Sequence, residues 1–129
     1  MPPEAATPED WLSLARRSHA FLQTIDDDFA DMIVLHAQQC IEKSIKAVAW
    51  AVGQQPPFIH ALDRLLAMLP PDIEVPGAVA QSVWLTETYI VTRYFADEPL
   101  PSETQVAEAR TAADASVSWA TTIVESTRA

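Results

Sequence analysis

Side chains able to hold an anion or move a proton fall in three short stretches: His36 to Lys46 (HAQQCIEKSIK), Pro57 to Leu62 (PFIHAL) and Tyr89 to Phe95 (YIVTRYF). Each lies where the neighbouring residues read as packed helix. Buried polar groups are costly unless paired, so such stretches point to an internal network or to a binding site. The donors are cationic and aromatic: Lys43, Lys46, His60, Tyr89, Arg93 and Tyr94. That set suits a phosphate group, with Arg93 as a planar fork on its oxygens and rings beside it. Plainer readings compete. Lys43 and Lys46 read as solvated helix charges, and Glu42, four residues before Lys46, as a helix-stabilising partner. Arg93 can instead cap carbonyls or stack on a ring, and His60 reads as a buried hydrogen-bonding post. His36 reads as a surface residue, and His19 attracts no role.

These residues must be placed by helices. Ten prolines and only two glycines divide the chain into helical segments rather than glycine-turned hairpins. A first helix opens at Thr7 as N-cap, with Pro8 at its first position and Glu9 and Asp10 near the positive end of its dipole; its apolar residues are Trp11, Leu14, Ala15, Leu22 and Ile25. The second is predicted from Asp28 to Val52. Ile33, Ala37, Cys40, Ile41, Ser44, Ala47, Val48 and Ala51 form its packed side, and His36, Gln39, Lys43, Lys46 and Trp50 its polar side. Gly53 reads as its C-terminal cap. A short third helix is expected over 58–69 with His60 in its first turn, and a fourth over 78–95 burying Val79, Val83, Ile90 and Tyr94. Ser102 and Gln105 have the spacing of a capping box, opening a last helix with Val106, Ala109, Ala113, Val117, Ala120 and Val124 inward. The economical fold is all-α: an up-and-down four-helix bundle with one additional short helix over 7–127, after a disordered 1–6. Trp50 and Trp84 lie off the main apolar stripes, which suggests a homodimer contact.

Composition excludes several functions. A net charge of −10 over 129 residues argues against duplex DNA, whose binding relies on Lys and Arg displacing counterions. Single-stranded or small ligands fit better where Lys43, Lys46 and Arg93 converge. Cys40 is the lone cysteine, so no intramolecular disulfide forms and a cytoplasmic location is expected. No run is long and apolar enough for a membrane span, and the first residues lack the pattern of a signal peptide. No Asp or Glu has a His three residues later, so no bundle-type metal pair is expected, and two glycines make no phosphate loop. No cofactor follows.

Gln39, Glu42, Lys43 and Lys46, then His60 and Leu62, then Tyr89, Arg93 and Tyr94 together resemble the HEPN domain family, whose usual pattern is a Gln-x-x-Glu-Lys-x-x-Lys helix, a Thr-His-x-Leu turn and a Tyr-x-x-x-Arg-Tyr-Pro segment. The resemblance implies a helical bundle, commonly dimeric, often paired as toxin and antitoxin with a minimal nucleotidyltransferase, and a nucleotide or RNA site. Departures are Ile59 in place of Thr and Phe95 in place of Pro. Ribonuclease members carry an Arg followed by His after four to six residues, whereas 94–100 contains no His. Loss of that imidazole removes an acid–base contribution of about a hundredfold to ten-thousandfold, so a binding role without catalytic residues is expected. A protein-interaction module is the alternative, and an atypical ribonuclease using His60 or His36 is the second.

Overall fold

The computed structural model describes residues 7–87 and 100–127. Among these the chain is helical and has no strand, so the all-α bundle is borne out. Helix α1 spans Pro8–Leu22. Its cap forms as expected: the Asp10 N–H donates to Thr7 Oγ1 at 3.1 Å, with Pro8 in the first helical turn, where a missing N–H costs nothing. The acidic linker then turns on itself, Asp26 Oδ1 accepting from the Asp28 N–H at 2.8 Å. With Asp26 used in that turn, the next helix starts at Ala30 rather than Asp28.

Helix α2 spans Ala30–Ala51 and packs along both α1 and the last helix. That central position buries most of it, and takes Lys46 from the expected polar side into the interior, while His36, Gln39, Lys43 and Trp50 of that side stay half-buried. Gln38, Glu42, Ile45, Lys46 and Ala49 are buried as well as Ile33, Ala37, Cys40, Ile41, Ser44, Ala47 and Val48. Ile33, Ile41, Ile45 and Val48 each contribute about 1.5–3 kcal/mol by leaving water. The helix ends on Gly53, whose φ of +84° lets the Gly53 N–H reach the Trp50 carbonyl and the Gln54 N–H the Ala49 carbonyl.

Helix α3 covers Leu62–Ala67, far shorter than the predicted 58–69. The His60 carbonyl, which a longer helix would need, accepts instead from Gln38 Nε2 at 2.8 Å. The Leu62 N–H donates to Thr86 Oγ1 at 3.1 Å, a cap supplied from elsewhere in the chain. Helix α4, Gly77–Ala80, opens the predicted fourth helix and passes into a 3-10 turn at Gln81–Val83. Tighter winding there rotates Val83 outward and brings Ser82 and Leu85 inward. Val83 is therefore exposed, against expectation. Helical geometry resumes over 84–87. Ile90 and Tyr94 lie outside the described residues.

Helix α5, Glu103–Thr127, begins with the expected capping box. The Ser102 N–H donates to Gln105 Oε1 at 2.9 Å and the Gln105 N–H to Ser102 Oγ at 3.1 Å. Small residues let α5 approach α2 closely: Ala109, Ala113, Ser116 and Ala120 are fully buried, and Cys40 Sγ lies 3.8 Å from the Ala113 carbonyl. Arg110 ties α5 to the α1–α2 linker, donating to the Leu22 and Ile25 carbonyls at 3.1 and 2.7 Å and to Asp27 Oδ1 at 2.8 and 3.0 Å.

Candidate functional site

The polar residues of α2 divide into two groups, one between Trp11 of α1 and His60, the other against Ser18 and Phe21 farther along α1. Gln38, Glu42 and Lys46, four residues apart, make an inner row. Lys46 Nζ donates to Glu42 Oε2 at 2.9 Å, and its ammonium stands 5.2 Å from the centre of the Trp11 ring. Lys46 is only 3% exposed, which replaces the expected solvated lysine by a buried ion pair. A desolvated carboxylate needs more than one partner. Glu42 has a second: both of its oxygens lie 3.0 Å from His60 Nδ1.

His60 is the exposed end of this row. Its side chain is 71% exposed, so the expected buried post is instead a surface group with a buried anchor. Facing two carboxylate oxygens, Nδ1 carries the proton, which leaves Nε2 turned away from Glu42. Gln38 holds the backbone beneath the ring through its bond to the His60 carbonyl. Gln38 is in turn approached by Thr86 Oγ1 at 3.5 Å, which also caps Leu62. Chemically, the row can present an oriented imidazole that accepts a proton at Nε2 and, once protonated, donates to an anion.

Lys43 does not join this group. It points toward α1, half-buried, with Nζ 3.4 Å from Ser18 Oγ. Burial lowers its pKa below the usual lysine value, opposed by Glu42 and Cys40 and assisted by Lys46 and Arg17. Two turns before, His36 meets the Phe21 ring edge-on at 4.7 Å. It is half-buried rather than a free surface residue, and burial, with Lys43 nearby, lowers its pKa. His19 pairs with Asp114 at 2.6 Å, a link between α1 and α5 with no connection to either group. Of the expected site residues, Lys46 and His60 are thus brought together through Glu42, while Lys43 is set apart. Tyr89, Arg93 and Tyr94 lie outside the described residues.

The HEPN domain family model matches residues 8–126. The chain belongs to the HEPN domain family. Two solved structures are similar to this HEPN chain over nearly its whole length. The protein TT1696 from Thermus thermophilus is 28% identical with a TM-score of 0.61, covering 94% of this chain and 95% of that one. ST0689, an archaeal HEPN homologue, is 21% identical with a TM-score of 0.53, covering 95% of each chain, and shows the fold alone. Among curated proteins nothing matches.

In this HEPN domain the Gln-x-x-Glu-Lys-x-x-Lys helix therefore has a split role. Glu42 and Lys46 build the buried pair; Gln39 and Lys43 look toward α1. Leu62 anchors the His60 turn by complete burial. Gln38 and Thr86 were not singled out by sequence reasoning. A signal did exist for Gln38: it stands four residues before Glu42 and eight before Lys46, in a row flanked by the apolar Val34, Ile41 and Ile45. Thr86 had none, because its role depends on where α3 meets the fourth helix. Among the described residues no group of three or more His, Cys, Asp or Glu could hold a metal, and no helix is long and apolar enough to cross a membrane.

Proposed function

We propose that this HEPN domain captures a phosphate-bearing ligand, a nucleotide or single-stranded RNA, on the surface around His60, as one half of a toxin–antitoxin pair with a nucleotidyltransferase. The observation that carries the reading is the exposed imidazole of His60 seated on Glu42, with Lys46 behind it. A side chain held by a buried carboxylate keeps its orientation without a ligand, so little order has to be created on binding. Protonated at both nitrogens, the ring offers Nε2–H to a phosphate oxygen. Arg93 supplies the bidentate contact in this proposal, with Tyr89 and Tyr94 beside the base and Lys46 as the buried countercharge. A second copy of the chain packs on the half-buried Trp50 and Trp84.

Calorimetric titration with ATP, GTP and a short single-stranded RNA tests this. Folded wild type should bind at least one, and His60→Ala and Arg93→Ala should each weaken binding by about tenfold or more. Absence of binding at millimolar ligand would overturn the site and leave a protein-interaction module that docks its partner directly. The carboxylate-held imidazole also favours a second reading, an atypical ribonuclease with His60 as general base. That reading falls if wild type leaves RNA intact while a known nuclease of the family cuts it.

A further inference from the structure

Helices α1 and α2 border an open cleft of about 440 Å³ beside the Glu42 row. Arg17 and Ser18 line it from α1 and His36, Gln39 and Lys43 from α2, with Phe21 as an apolar wall. No Asp or Glu lines it, in a chain whose net charge is −10. Its donors are largely unspent. Among the described residues the Arg17 guanidinium and the Gln39 carboxamide have no hydrogen-bond partner, and Lys43 has only the 3.4 Å approach to Ser18 Oγ. Glu42, next to Lys43 in sequence, is held on the other row by Lys46 and His60. Asp114 is occupied with His19. Two cations therefore share a cleft that no carboxylate lines; burial above all lowers the Lys43 pKa, Glu42 on the other row opposes it, and the nearby Arg17 adds to it.

We propose that this cleft binds the phosphate group of a small phosphomonoester, a second anion site independent of the surface around His60. The choice of anion follows from the donor set. A guanidinium fork, an ammonium, a carboxamide and a hydroxyl converge from two helices, and a tetrahedral phosphate has enough oxygens to accept from all of them, whereas a carboxylate has two. The organic group of the ester lies against Phe21, 51% exposed at the rim, and the neighbouring Leu14. Binding removes the repulsion between Arg17 and Lys43, so each cation strengthens the site for the other.

The test is an amide chemical-shift titration of wild type with inorganic phosphate and with phenyl phosphate, using benzoate as the carboxylate control. Saturable shifts centred on Arg17, His36, Gln39 and Lys43 are expected, with phenyl phosphate tighter than phosphate and benzoate weaker than either. Arg17→Ala, an exposed position that leaves packing intact, and Lys43→Met, which keeps the aliphatic stem, should each weaken phosphate binding by about tenfold or more. Absence of saturable shifts at about 10 mM phosphate, a concentration that would reveal millimolar affinity, overturns the site. So does unchanged affinity in both variants. Shifts centred on His60 and Leu62, with both variants binding like wild type, also overturn it while supporting the separate reading of the His60 surface.

Discussion

Glu42 is the residue on which the buried polar row depends, because it neutralises Lys46 and seats His60 at once. Breaking a buried pair is costly mainly through the charge left behind. Glu42→Met should therefore lower stability by about 3–5 kcal/mol, by stranding the Lys46 ammonium. Adding Lys46→Met should restore most of that loss, since an apolar pair of similar volume removes the stranded charge; urea denaturation of the single and double variants measures the difference. A fully recovered double variant that no longer binds ligand would separate the row's function from its packing. Cys40 belongs to the same scale. Burial pushes its thiol from 9.0 up to about 12, with Ser116 and Ser44 opposing the shift. The folded state thus keeps a proton that the unfolded state releases near pH 9, so this contribution is fully present below pH 9 and is lost as pH rises from 9 toward about 12. Cys40→Ala should flatten the alkaline fall in stability, read from denaturation midpoints across that window.

At the scale of elements, the connection between α1 and α2 is set by a residue distant in sequence. Arg110 bonds two carbonyls at the end of α1 and beyond it and reaches Asp27 in the linker. Backbone carbonyls at a helix end need partners, and one guanidinium supplies several. Arg110→Ala should cost about 1–3 kcal/mol, and hydrogen exchange should show faster opening of amides near residues 23–29 than of α2. Uniform loss of protection would instead place Arg110 in the global core. The short α3 illustrates the same dependence. Leu62, Leu65 and Leu69 are buried, yet Gln38 and Thr86 decide where the helix begins.

At the scale of the molecule, a charge of −10 sets the long-range field, and the basic groups act locally within it. Duplex DNA should show no binding at about 150 mM salt by fluorescence anisotropy, whereas ligands small enough to reach one donor group remain accessible. Saturable duplex binding under those conditions would mean that the cations of separate elements form a continuous face. Much of the architecture was determined by sequence alone. Thr7 with Pro8, Gly53, and Ser102 with Gln105 mark helix ends through bonds spanning a few residues, and the apolar spacing of α1, α2 and α5 selects their packed faces. Such features are local, so neighbouring residues suffice to specify them. Tertiary structure alone decided that α2 lies between two helices and buries Gln38, Glu42 and Lys46, that Lys46 turns to Glu42 while Lys43 turns to Ser18, and that His60 stands in solvent. The periodicity of one helix gives the angle between its side chains, but what each angle faces depends on neighbours brought in from elsewhere in the chain.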